Sequence, residues 1–363
     1  MQKKIVEQLL QLVRYSLWGE KIKNTIAPSQ LKSIIRLSEE QTLQGVIINA
    51  LLHCDLIKEK ELVLRNYGCL LGIQKRNDVI NNEIERINSF LKEEGIAYLM
   101  VKGQVAAQWY PNPLIRIPGD VDFLVRKVDV PDIERLLVKK FGIQPKVDVF
   151  LKHSEFVING VMYEMHYDLI QFYSKRNRKY WDSLMKNEIP VNVKIADNQI
   201  PTLSPTTNTL YIFIHLFIHL IESGISLRQM CDWMMCIHAN HNRIDYQLLS
   251  KHLKCLGLTN AYLSAGAILV DSLGLPQKEF GFIFSKSHRK KGRKILNDMI
   301  TMGNFGKNKI VIYHNGFWHS IQTGIRIANQ SLKFINLAPR EISARWPGMV
   351  VLYIHSKLKI SNK

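Results

Sequence analysis

Between Gly119 and Val125 the chain reads Gly-Asp-Val-Asp-Phe-Leu-Val, and no other stretch restricts its fold and chemistry as much. In a strand, alternate side chains share a face, so Asp120 and Asp122 point the same way from neighbouring pleats, about 7 Å apart along the backbone. Val121, Phe123 and Val125 take the opposite face. Two like charges on one side of an otherwise apolar strand are costly unless something positive sits between them. A hard cation such as Mg²⁺, held by one or two carboxylates and the oxygens of a bound phosphate, meets that need. Taken alone, the seven residues also read as a turn aspartate followed by a solvent-facing one on an edge strand.

The surroundings change period in a definite order. The first ninety residues read as helices, and Ile80, Ile84, Ile87 and Leu91 keep one face until Glu94-Gly95 ends the run. Ile96 to Val101 has strand length and stops at Lys102-Gly103. Gln104 to Tyr110 reads as a short helix, broken by Pro111 and Pro113. After the aspartate strand, Asp129 and Pro131 open a helix with Ile133, Leu136, Leu137 and Phe141 on one side, and Gly142 closes it. Two strand-like runs come next, Val149–Ile158 and Val161–Tyr167, joined by Asn159-Gly160, the strongest short hairpin signal. On the second run Glu164, His166 and Asp168 share a face opposite Tyr163, Met165 and Tyr167; Asp168, at the frayed end, reads as a turn former. Ile189 to Ile200 adds a small hairpin, and Thr202–Thr207 is a good helix entry. The remainder is mostly helical, with glycine- and lysine-rich breaks near 285–309. The expectation is an α+β protein with helices over 1–90, a small mixed sheet over 91–175 and a basic, mainly helical domain over 176–363.

Val101-Lys-Gly103, Tyr110-Pro111, Arg116 and Gly119–Val125, in this order, resemble the largely uncharacterised bacterial nucleotidyltransferase family within the superfamily related to DNA polymerase beta. The resemblance covers residues about 95–170. The later His215 … Leu227-Arg228 … Asp232 stretch is similar to the segment after the core in that family. The resemblance implies a small mixed-sheet nucleotidyltransferase core that moves a nucleoside monophosphate from a nucleoside triphosphate to a hydroxyl acceptor, releasing pyrophosphate, with Mg²⁺ or Mn²⁺ as cofactor. Asp120, Asp122 and Glu164 match its catalytic and metal positions, and His166 lies two residues after Glu164. Lys102 and Gly103 match the phosphate-binding turn, where backbone amides approach a phosphate at a helix start. The superfamily usually has Gly-Ser there and this chain has Gly103-Gln104, so Lys102 or the Gln104 amide has to replace the serine contact. Arg116, held between Pro113 and Pro118, reads as a phosphate clamp or as a salt bridge to Asp120. Arg228 and Asp232, four apart on a helix, read as an ion pair or as contacts to the acceptor.

Charge and composition narrow the classes further. The net charge of +18 divides as +3 over residues 1–90, zero over 91–175 and +15 over 176–363. It is densest in Lys286–Lys294, which reads as a basic loop that solvates the surface or attracts nucleic acid, an acidic peptide or a nucleotide. No zinc finger or RNP-type aromatic motif accompanies it. The five cysteines lack framework spacing and suggest a reducing compartment; Cys231 and Cys236 read as core thiols. The most apolar run, Leu210 to Ile221, is too short to cross a bilayer and contains His215 and His219, which read as core or interdomain histidines. The N-terminal apolar residues recur with helical spacing and lack the continuous run of a signal peptide, so the expectation is a cytoplasmic protein. No nucleophile elbow, Walker-type loop or dinucleotide glycine loop is present. The alternative to catalysis is an inactive member of the same fold that binds nucleotide, RNA or protein. The sequence leaves the acceptor open among small-molecule hydroxyls, RNA ends, protein or peptide side chains and sugars.

Overall fold

Four helices open the chain: α1 (Gln2–Trp18), α2 (Pro28–Glu40), α3 (Gln44–His53) and the 34-residue α4 (Lys60–Glu93). The computed structural model describes residues 2–23, 26–54, 56–57, 59–148, 153–303, 317–345 and 347. The middle of the chain runs β1 (Tyr98–Val101), α5 (Gly103–Ala107), β2 (Val121–Val125), α6 (Val130–Phe141), β3 (Lys146–Asp148), β4 (His153–Ile158) and β5 (Val161–His166). These strands form one sheet in the order β1-β2-β5-β4-β3. β2 and β5 are parallel and every other pairing is antiparallel. The architecture is α+β, as the changes of period imply.

The β4–β5 hairpin turns on Asn159 and Gly160, both at positive φ (49° and 73°), the geometry of a two-residue turn whose twist matches its strands. That turn sets Ile158 opposite Val161 and, five pairs on, His153 opposite His166. β4 thus begins at His153; residues 149–152, expected to extend it, lie outside the described residues. The sequence periods do not anticipate β3, a short strand that pairs Lys146–Asp148 with β4.

The sheet separates two faces of different chemistry. On one, Met100, Val121, Phe123, Tyr163 and Met165 are buried against Ile80, Ile84, Ile87 and Leu91 of α4 and Ile133 and Leu137 of α6. Full burial of each such side chain stabilises by roughly 1.5–3 kcal/mol, which fixes the strand registers. The other face carries Asp122, Glu164 and His166.

After the sheet come α7 (Lys175–Lys186) and the hairpin β6 (Val191–Ile195) and β7 (Asn198–Thr202). The helices α8 (Pro205–Glu222), α9 (Leu227–Asn240), α10 (Tyr246–Leu256), α11 (Thr259–Asp271), α12 (Gln277–Phe280), α13 (Lys286–Met302) and α14 (Phe317–Lys333) complete the order. α8 is apolar nearly all round and buried along most of its length, so it forms the axis of this half. α1 and α3 contribute Leu9, Val13, Ile47 and Leu51 to the same core as α8, α9 and α11. Among the described residues no helix is long and apolar enough to cross a membrane.

Lys286–Lys294 is not a loop but the first half of α13. Ser285 caps it by accepting from the His288 amide, and lysine and arginine are strong helix formers. Gly292 lets α13 lie close to α11, because a Cβ there would come within 2.6 Å of the Ser264 carbonyl oxygen. Residues 304–309 of the expected break lie outside the described residues.

Candidate active site

β2 and β5 run parallel with Asp122 directly beside Glu164, and Asp120 precedes β2 by one residue. Ligand oxygens of Asp120, Asp122 and Glu164 all lie within 4.8 Å of one another. Leu124 of β2 faces His166 of β5, whose Nε2 lies 2.9 Å from Asp122 Oδ1 and 3.3 Å from Glu164 Oε2. Lys102, between β1 and α5, brings its Nζ to 2.6 Å from the same Asp122 oxygen. Its backbone sits at φ 54° and ψ −143°, a region disfavoured for any residue but glycine. Gly103 comes next at φ 34°, where a Cβ would meet the Asp120 carbonyl oxygen at 3.1 Å.

The electrostatics result from this crowding. Asp120 is raised to about 6, first by the charge of Asp122, then by burial and by Glu164. Burial also pushes Glu164 up, but the hydrogen bond from His166 and the charge of Lys102 outweigh it and hold the group well below the usual carboxylate range. Asp120 is the member of this pair that takes a proton. Burial pulls His166 down, yet its bonds to Asp122 and Glu164 raise it on balance. Lys102 stays charged, because Asp122 more than offsets its burial. Lys102 and His166 therefore serve three carboxylates.

A cavity of ≈ 390 Å³ lies over the cluster, closed on the far side by α8 and α9. His215 and His219 of α8 line it, with Nε2 atoms 3.1 Å apart. Burial, then the charge of Lys102, keeps both neutral, with His219 lowered to about 4. A larger, more open groove of ≈ 730 Å³ adjoins it across Asp168 and Leu169, but that groove contains none of the clustered carboxylates.

Three sequence expectations need correction. Arg116 lines the cavity but does not pair with Asp120. It is 3% exposed and makes a bidentate pair with Asp232, Nε to Oδ1 at 2.8 Å and Nη2 to Oδ2 at 2.9 Å. Tyr110 donates to the same carboxylate at 2.8 Å. Asp232 accordingly does not pair with Arg228, whose Nη1 donates instead to the Ile117 carbonyl at 3.3 Å. Burial raises Asp232, and the charge of Arg116 more than reverses this. Gln104 turns away from the cavity: its Nε2 donates to Asn77 Oδ1 at 3.1 Å and Asn81 Oδ1 at 2.8 Å, tying α5 to α4.

Other residues at the site have no place in the sequence expectations. His153 packs edge-on against His166 at 5.2 Å, and Glu155 lies opposite Glu164. Counting outward from the Asn159-Gly160 turn finds both. Tyr211 of α8 is buried near Lys102, and Arg345 reaches the cavity from the helical segment 339–345. Nothing local in the sequence marks these two.

Residues 28–274, more than half of the chain, match the family described as uncharacterised nucleotidyltransferase. The chain belongs to that family. The match to this nucleotidyltransferase family takes in β1 to β5, α8 and α9, and so includes the whole carboxylate cluster. A solved structure of an antigenic nucleotidyltransferase-like protein from Paracoccidioides brasiliensis is similar at 12% identity, over 60% of this chain and 96% of that one, with a TM-score of 0.33. That likeness is too distant to carry an argument. No curated protein matches the chain.

Proposed function

We propose that this family member transfers a nucleoside monophosphate from a nucleoside triphosphate to a hydroxyl acceptor and releases pyrophosphate, using a divalent cation at Asp120, Asp122 and Glu164. One observation carries the reading: three carboxylates on or beside adjacent strands converge within 4.8 Å under a cavity, in a member of a nucleotidyltransferase family. The donor set fits Mg²⁺ or Mn²⁺, because all three ligands are hard oxygens. The raised Asp120 expresses the same crowding of carboxylates, which a divalent cation would relieve. A bound divalent ion supplies charge neutralisation at the phosphate oxygens.

The chain's own residues do the rest. Lys102 and His166 both contact Asp122 Oδ1 and orient its carboxylate. Glu164, beside Asp122 in the register and within reach of both aspartates, is the group placed to accept the acceptor's proton. The acceptor oxygen attacks the α-phosphorus, the bond to the bridging oxygen breaks, and pyrophosphate leaves with that electron pair.

The test is incubation with each α-phosphate-labelled nucleoside triphosphate and Mg²⁺, with cell extract supplying acceptors. Label on an acceptor together with pyrophosphate release is expected. Binding of triphosphate with no transfer across all four bases and extracts would instead favour an inactive, nucleotide-binding member.

A further inference from the structure

The cations around the cavity divide into those already engaged and those with donors to spare. Lys102 is engaged by Asp122, Arg116 by Asp232, and His166 by Asp122 and Glu164. His215 and His219 are neutral. Among the described residues two arginines remain, both lining the same cavity as the carboxylates. Arg228 of α9 uses Nη1 on the Ile117 carbonyl, while its Nε is buried with no hydrogen-bond partner. Arg345 is 2% exposed; its Nη2 meets Glu222 and its guanidinium lies 4.7 Å over the Tyr173 ring, yet Nε and Nη1 are both buried with no partner.

A buried donor without an acceptor costs about 1–3 kcal/mol, and more when the group is charged. Three such N–H-bearing atoms belong to two arginines that line one cavity, and the described residues offer them no acceptor. The guanidinium fork matches the paired oxygens of phosphate and carboxylate groups. A neutral acceptor would satisfy the hydrogen bonds and leave Arg228, which among the described residues has no ion-pair partner, uncompensated; a polyphosphate satisfies both needs, and Arg345 is already paired with Glu222.

We propose that Arg228 and Arg345 form the anion-binding wall of the cavity and take the triphosphate chain of the donor, in place of Lys102, Gln104 and Arg116. The inference rests on the nucleotidyl-transfer reading for the donor's identity. The residues themselves come from opposite ends of the helical half. Arg228 lies inside the family-matched residues and Arg345 beyond them. The phosphate grip is thus built partly from a segment outside the match, and it compensates for a turn in which Gln104 faces α4.

The probe is inorganic tripolyphosphate with Mg²⁺, titrated calorimetrically into the full chain. Arg228→Gln and Arg345→Gln should each weaken binding about tenfold or more, as expected for loss of a charge-assisted fork. Arg228→Lys and Arg345→Lys, which keep the charge and disturb packing less, should lose less, while the exposed pair Lys286→Gln/Lys290→Gln should bind as the wild type does. Mn²⁺ affinity, read by electron paramagnetic resonance, should stay unchanged in all of them and show the site intact. Equal tripolyphosphate affinity in wild type and the arginine variants overturns the proposal. So does a wild type that binds Mn²⁺ but no tripolyphosphate. Neither result touches the transfer reading, which the α-label assay decides separately.

Discussion

Lys102 Nζ lies 2.6 Å from Asp122 Oδ1, delivered there by a backbone held at φ 54°. A non-glycine residue in such a region costs of order 1–3 kcal/mol, and the ion pair at its tip is the compensating interaction. The lysine thus serves as a built-in counter-ion to the carboxylates rather than as a free phosphate contact. Replacing it by methionine should leave the cluster short of positive charge and raise Mn²⁺ affinity by roughly an order of magnitude. Calorimetric titration checks this. A fall in Mn²⁺ affinity would show that the lysine supports ion binding instead of competing with it.

Asp232 should be structural. It is buried and takes hydrogen bonds from Arg116 and Tyr110, which join the loop before β2 to α9. Asp232→Ala strands a buried guanidinium and should cost about 3–5 kcal/mol in urea unfolding. Mn²⁺ affinity measured below the unfolding transition should be unchanged.

The half-buried histidines of α8 give a pH dependence with a definite sign. His219 is lowered to about 4 in the folded chain, against about 6.5 when unfolded. The unfolded state therefore binds protons first, so the contribution is present above pH 6.5 and is lost as pH falls toward 4. By pH 5 the loss should be about 2 kcal/mol. Urea unfolding at pH 7 and pH 5 should show a smaller difference in His219→Gln than in the wild type.

Glu164→Gln separates chemistry from binding. The variant keeps the shape of the site but cannot accept a proton, so turnover should fall by about 10²–10⁴ with little change in triphosphate affinity. His166→Ala, which removes a positioning contact to Asp122 and Glu164, should cost less. A Glu164→Gln variant that turns over like the wild type would remove the residue from catalysis.

The parts of the site legible in the sequence are those written in local periods. Asp120, Asp122 and Glu164 share a face because strands alternate, and Asn159-Gly160 fixes the hairpin register that brings Glu164 beside Asp122. The same arithmetic places His153 opposite His166. The role of Arg116 is not legible, because its partner Asp232 is 116 residues away and meets it only through the packing of α9. Arg345 joins the cavity through the same kind of long-range packing. Motif position makes Gln104 look like a phosphate contact, while its side chain answers to Asn77 and Asn81 on α4. The density of charge in Lys286–Lys294 suggests a loop, but the helix propensity of lysine and arginine and the Ser285 cap decide for α13.

The most direct measurement is thermal stabilisation by Mn²⁺ plus a non-hydrolysable nucleoside triphosphate, compared between the wild type and Asp120→Asn/Asp122→Asn. Ligands held only by the native state raise its stability, so the wild type should gain several degrees. The double variant should fold and gain nothing, and equal gains in the two proteins would contradict the carboxylate site.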